Sequence, residues 1–329
     1  MTQGLDVAGI GNAIVDVISH ADDAQLARLG LPKGAMTLID AARANELYAQ
    51  LGPGVEASGG SVANSMAGIA SLGGRAGYIG KVRADQLGEV FAHDIRAAGV
   101  EFSSLPASRG ADTARCLILV TPDGQRTMNT YLGACVELGP EDIAEALIAR
   151  AQVTYLEGYL WDPPRAKEAM LKAANLAHKH DRKVALSLSD PFCVGRHRAE
   201  FQRLLDDHVD ILFANESEAQ SLAETDDFEE AVRAIQGRAD LCVITRGAEG
   251  AIVLTKDARF AVPAEPVSKV VDTTGAGDLF AAGFLHGVTQ GRAPADALRI
   301  GAICAAEVIS HYGARPAVKL AELVRSKGL

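Results

Sequence analysis

From about residue 150 onward, short wholly apolar runs alternate with longer amphipathic ones. Val153–Leu156, Val184–Leu188, Ile211–Ala214, Leu241–Thr245 and Ala251–Leu254 read as strands, and Leu5–Ile10 opens the chain as another. Between them, Pro163–His180 (with proline in its first turn), Asn215–Ala223 and Phe228–Gly237 read as helices, and Ala276–Gln290 and Pro294–Ser310 close the chain as two more. Short apolar strands alternating with helices predict an α/β fold: a mostly parallel central sheet flanked by helices on both faces.

Two stretches break this rhythm. Residues 12–40 carry strand-like runs at Ile14–Ile18 and Met36–Ile39 with no good helix between them. Residues 112–131 read as a hairpin: Arg115–Val120, a Thr-Pro-Asp-Gly turn at 121–124, then Arg126–Tyr131. Extra strands inserted between βα units make a small sheet at the C-terminal edge of the main one, where ligands bind in such folds. A lid is therefore expected, built from segments near 12–40 and 102–132. No repeat, charged tail or dividing linker appears, so residues 1–329 are expected to form a single domain.

Composition narrows the function. With 48% apolar residues the chain can bury a large core, and a net charge of −10 argues against nucleic-acid and anionic-membrane partners. The five cysteines are scattered, never in Cys-x-x-Cys spacing, and no His-Glu-x-x-His occurs. That suits a reducing compartment and offers no structural zinc site. The strand at Leu5 leaves no room for a signal peptide, and no apolar run approaches about 18 residues. The expectation is a soluble cytoplasmic protein acting on small molecules.

The most informative run is Asp272-Thr273-Thr274-Gly275-Ala276-Gly277-Asp278, a tight turn between the β-branched pair Val270-Val271 and an apolar helix. Such a turn aims backbone N–H groups and the positive end of a helix dipole at one point, and glycine lets an anion come close. A carboxylate beside that point, Asp278, is misplaced for anion binding alone. It is useful for taking a proton from a hydroxyl that attacks a phosphate. Phosphoryl transfer to an alcohol is the first inference; the plain alternative is a capped helix start after an ordinary turn.

Other polar residues carry two readings each. Asn12 and Asp16 interrupt an apolar strand and either bind a hydroxylated ligand or face solvent. Ser58-Gly59-Gly60-Ser61-Val62-Ala63-Asn64-Ser65 opens a helix, as a flexible N-cap or as a substrate loop. Asn215-Glu216-Ser217-Glu218 fits a capping box, with Asn215 as N-cap. Arg126 is either a surface arginine or a guanidinium that swings over the transferring phosphate. Gly9-Ile10-Gly11 is no dinucleotide fingerprint, because Ile14 stands where the third glycine belongs. Gly80-Lys81 is no Walker loop, because Val82 replaces the Ser or Thr that would hold Mg²⁺.

Asp-Thr-Thr-Gly-Ala-Gly-Asp-Leu-Phe-Ala-Ala-Gly-Phe at 272–284 resembles, without a gap, the signature of the ribokinase and adenosine-kinase superfamily, and the resemblance extends over nearly the whole chain. Gly11–Asp16, Gly59-Gly60-Ser61 with Asn64-Ser65, and Leu186–Phe192 are similar to the adenosine-kinase branch. Val62-Ala63, and Tyr159 where Phe is usual, depart from it. The resemblance implies a ribokinase-like fold and ATP with Mg²⁺. It makes Asp278 the general base, Gly275, Ala276 and Gly277 the anion hole, and Asn12, Asp16, Gly59, Gly60, Asn64 and Tyr159 the acceptor site, with Tyr159 stacking on a base. Asn215, Glu218, Thr245, Gly247 and Gly250 fall at nucleotide-site positions, Glu218 reaching Mg²⁺ through water. Asp272 and Thr274 match positions that hold a monovalent cation such as K⁺.

The implied activity is transfer from ATP to the 5′-hydroxyl of adenosine or a related nucleoside. The alternatives are a kinase of a sugar or sugar acid of the ribose, fructose or 2-keto-3-deoxygluconate type, and an inactive phosphate sensor. Monomer and homodimer both stay open. At a helix N-terminus Asp278 is expected to be a weak base, since the dipole favours its ionised form.

Overall fold

The structure, a computed structural model, describes residues 4–329. The first half runs β1 (Leu5–Ile10), β2 (Ile14–His20), α1 (Asp23–Leu29), β3 (Met36–Leu38), α2 (Ala41–Gln50), β4 (Gly54–Gly59), α3 (Ser61–Ser71), β5 (Ala76–Ile79), α4 (Gln86–Ala97), β6 (Glu101–Phe102), β7 (Ala114–Val120) and β8 (Arg126–Tyr131). The second half runs α5 (Glu145–Arg150), β9 (Ala151–Glu157), α6 (Pro164–Lys179), β10 (Lys183–Ser187), α7 (Pro191–His208), β11 (Ile211–Asn215), α8 (Glu216–Ala223), α9 (Phe228–Ile235), β12 (Leu241–Thr245), β13 (Ala251–Leu254), β14 (Arg259–Val262), α10 (Ala276–Thr289), α11 (Pro294–Val308) and α12 (Leu320–Ser326).

The main sheet has the order β14-β13-β12-β11-β10-β9-β1-β5-β6 and is parallel except where β13 and β14 fold back on β12. Its strands are apolar on both faces because helices cover both. Val7 and Val243 join the core beneath α3, α10 and α11, while Ala8, Ile10, Cys242 and Ile244 join the core beneath α6 to α9. Helices α10 and α11 touch closely: a Cβ on Gly283 would lie 2.8 Å from the Gly301 backbone.

A second sheet, ordered β3-β8-β7-β2-β4, forms the lid. The hairpin expected at 115–131 is present, with Gly124 N–H closing the turn onto Thr121 O at 2.8 Å. Two expectations need correction. A helix, α1, does lie between β2 and β3: Asp22 caps it by accepting from Gln25 N–H, Gly30 ends it in left-handed conformation, and Leu26 and Leu29 bury its inner face. That short helix is stabilised mostly by tertiary burial, which a local pattern reports weakly. The lid also recruits β4, outside the expected segments, through antiparallel pairing with β2, whereas β6 pairs with β5 in the main sheet. Before the glycine turn, Val271 N–H bonds to Ile309 O at 2.8 Å, so this segment lies against the end of α11.

Candidate active site

The glycine turn begins α10. Gly275 sits at φ +80, and a Cβ there would come within 2.8 Å of Ala314. Only glycine meets both demands without strain. At Gly277 a Cβ would meet nothing within 4 Å, so the turn is open to a ligand. Asp278, in the first helical turn, is held from α3: Ser61 Oγ donates to its Oδ1 at 2.6 Å and Asn64 Nδ2 donates to its Oδ2 at 2.9 Å. Ser65 Oγ also donates to the Asp278 carbonyl at 2.9 Å. The motif at 58–65 and the motif at 272–278 therefore form one unit.

These groups line a cavity of about 510 Å³ under the lid. Asp16, Cys116 and Thr130 come from lid strands, and Tyr155, Ser187 and Thr245 from main-sheet strands. On β2, Val15 and Val17 point into the core, which leaves Asp16 on the cavity face. Its carboxylate lies over Gly59, where a Cβ would be 2.5 Å from Oδ2. Gly60, Thr274, Asn215, Glu218 and the 40% exposed Tyr159 border the same space.

Next to it, a slot of about 450 Å³ is walled by Thr245, Gly247, Gly250, Ala276, Gly277 and a set of alanines including Ala302, Ala305 and Ala306. Flat apolar walls beside an open helix N-terminus suit a purine nucleotide and its phosphates. A larger groove of about 710 Å³, between α4 and residues 102–106, contains none of these residues.

Several expected ligands are engaged elsewhere. Asn12 is buried and donates from Nδ2 to Glu157 Oε1 at 2.6 Å, outside the cavity lining. Arg126 is buried, with Nη2 2.9 Å from Asp272 Oδ2. Asp272 also accepts from Thr274 N–H at 3.0 Å and Gly313 N–H at 2.9 Å. A monovalent cation at Asp272 would thus have to displace the guanidinium. Asn215 and Glu218 make the capping box, each accepting from the other's backbone N–H. Among the described residues, no group of three His, Cys, Asp or Glu could hold a metal ion by itself.

Electrostatics corrects the expectation for Asp278. Burial raises its carboxyl pKa, against the opposing effects of Ser61, Asn64 and Arg315, so Asp278 is a stronger base than its position on α10 suggested. Burial also pushes Asp16 up to about 6, with Arg315 and Arg126 opposing and Asp278 adding to the rise. Glu218 is pushed up to about 7 by burial in the site, and a buried carboxylate of that kind is suited to a nearby cation such as hydrated Mg²⁺.

The sequence reading missed Ser61, Ser65, Glu157 and Arg315 as site residues. Glu157 ends an apolar strand, the same signal that singled out Asp16, and accepts from Asn12 and from Val62 N–H at 3.1 Å. Arg315 has no local signal at all; it reaches the site from the loop after α11.

A model of the pfkB family carbohydrate kinases matches residues 34–320. The 5-dehydro-2-deoxygluconokinase of Halalkalibacterium halodurans is 30% identical over 278 residues, covering 82% of this chain and 84% of its own. Among solved structures, a probable sugar kinase from Rhizobium etli is 52% identical with a TM-score of 0.92, covering 99% of both chains. An adenosine kinase from Sinorhizobium meliloti is 53% identical with a TM-score of 0.91, covering 98% of this chain and 99% of its own. No helix among the described residues is long and apolar enough to cross a membrane.

Proposed function

The chain belongs to the pfkB family of carbohydrate kinases and is an ATP-dependent phosphotransferase of ribokinase-like fold, and we propose that it phosphorylates a hydroxyl of an uncharged, polyhydroxylated acceptor. One observation carries this reading: the Asp278 carboxylate stands at an open helix N-terminus while its two oxygens are held by Ser61 and Asn64 from the acceptor-side helix.

In this reading Asp278 accepts the proton of the attacking hydroxyl, and its raised basicity helps. The amides of Gly275, Ala276, Gly277 and Asp278 face the charge that develops on the transferring group. Asp16 accepts hydrogen bonds from ring hydroxyls, and the unpartnered Asn64 Oδ1 offers a further acceptor. Gly59 and Gly60 let the lid strand and α3 approach closely. Thr245, Gly247 and Gly250 border the nucleotide, and Asn215 positions Glu218 toward its metal shell. ATP brings the phosphoryl group, and Mg²⁺ offsets the charge of its phosphates. Arg126 moves from Asp272 to the phosphates when they arrive. Residues 1–329 act as one kinase unit with its lid.

For the acceptor, the family model, the curated relative and the Rhizobium structure support a sugar or sugar acid. The cavity bears on that choice. Its lining holds Asp16, Glu218 and Asp278 and no Lys, Arg or His among the described residues; Arg126 and Arg315, which act on Asp16, lie outside that lining, so a carboxylate-bearing acceptor has no lining cation to bond. A neutral sugar fits better than an acid. The nucleoside reading is the second; it is supported by Tyr159 at the cavity rim, available to stack on a base, and by the Sinorhizobium relative.

Turnover of ATP with Mg²⁺ against ribose, fructose, 2-keto-3-deoxygluconate, adenosine, inosine and guanosine tests this. Preference for a neutral sugar or a nucleoside supports the reading and separates its two forms. Preference for the acid overturns the uncharged acceptor. No turnover with any of them favours a phosphate-binding sensor.

A further inference from the structure

Arg315 lies in the loop between α11 and α12, is mostly buried, and has only neutral hydrogen-bond partners among the described residues. Its Nη2 donates to Ser58 O and Ser58 Oγ, each at 2.8 Å, and its Nη1 donates to Ala63 O at 2.9 Å. Ser58 is gripped from the other side by Asp94 of α4, whose Oδ2 accepts from Ser58 N–H at 2.7 Å and from Ser58 Oγ at 2.5 Å. The bonded segment spans the junction of lid strand β4 with α3, at Gly59-Gly60, where Gly60 has φ +99. That junction carries Ser61 and Asn64, which hold Asp278.

We propose that Arg315 is a positioning residue for phosphoryl transfer, its charged guanidinium tying the lid strand β4 to the unit that holds Asp278. A guanidinium bonded only to carbonyls and a hydroxyl stays charged without a direct ion pair, so the part of its field that Asp94 does not offset reaches the carboxylates nearby. Arg315 lowers the pKa of both Asp16 and Asp278, against burial. The other groups facing this cluster are Arg126 of β8 and Cys116 of β7 beside Asp16, Tyr155 and Glu157 of β9 and Tyr159 beside Asp278, and Asp94 of α4 with Tyr78 of β5 beside Arg315. The proposal rests on the reading of Asp278 as the base.

The test is the pH profile of kcat/KM for the full-length protein with its best acceptor. Arg315→Gln keeps a donor for Ser58 and removes the charge, so the acid limb is expected to move up by about one pH unit, a tenfold change in proton affinity. Arg315→Lys keeps the charge and loses the fork, so the limb is expected to stay while activity falls. Asp94→Asn removes an opposing charge and is expected to move the limb down. If Arg315→Gln does not fold, the same comparison is made between Asp94→Asn and the Asp94→Asn/Arg315→Gln double variant, where an unmoved limb equally overturns the charge role. An unmoved limb in Arg315→Gln, or equal shifts in the Gln and Lys variants, overturns the charge role of Arg315. Near-normal kcat in Asp278→Asn overturns the base assignment itself, and with it the proposal.

Discussion

Arg126 Nη2 lies 2.9 Å from Asp272 Oδ2, both side chains almost fully buried, so the lid strand β8 is pinned to the segment that leads into the glycine turn at the start of α10. The guanidinium also lies over the Tyr312 ring, 5.9 Å from its centroid. A residue read from sequence as a phosphate ligand and one read as a cation ligand neutralise each other.

If Arg126 leaves Asp272 for the phosphates during turnover, Arg126→Ala should lower kcat by at least about tenfold more than Asp272→Asn does. Steady-state kinetics of the two single variants and the double variant check this. Equal losses in both singles, with no further loss in the double, would mean that the ion pair is the whole role of Arg126.

Asp278→Asn should reduce kcat by roughly two to four orders of magnitude, with both substrates still bound to within a few-fold by calorimetry. With Asp278 as the base, the wild-type rate should rise with pH through its elevated pKa and then level.

Asp16→Ala should raise the acceptor's KM far more than that of ATP. Comparable rises in both would remove Asp16 from the acceptor site.

Stability should depend on pH through Glu157, whose carboxyl is pushed up to about 7 by burial, with Val62 and Asn12 opposing. An acid raised in the folded state binds more protons than it does unfolded, so its contribution is full below the ordinary carboxyl pKa and is lost as pH rises through about 7. The Tm should therefore fall between pH 5 and 8, and Glu157→Gln should flatten that slope. Parallel melting curves for the two proteins would exclude Glu157 as the source.

Gly275→Ala should lower both Tm and kcat, since the new Cβ meets Ala314 at 2.8 Å on a backbone at φ +80. Gly277→Ala, facing open space, should keep the Tm and weaken ATP use. Thermal melts and ATP titrations of the two variants distinguish packing from ligand access.

Local pattern was enough for what local forces decide. The alternating buried strands from Val153 onward, the hairpin at 115–131, the Asn215 capping box and the glycine turn before Asp278 were all legible, because period, turn chemistry and capping act over a few residues. The pairing of β4 with β2 was not legible, since Gly54–Gly59 is an edge strand with little apolar signal of its own. Nor was the short helix α1, whose stability comes from burying Leu26 and Leu29.

At the site, residue type and spacing marked Asp278, Asp16 and the two glycine motifs as chemistry. Only the tertiary structure decided their partners. Ser61 and Asn64 reach Asp278 across more than two hundred residues, Arg315 reaches back to Ser58 from the far end of the chain, and Arg126 turns to Asp272. The basicity of Asp278 followed the same division: the sequence placed it at a helix N-terminus, while the burial that raises its pKa exists only once the lid, α3 and α10 enclose it.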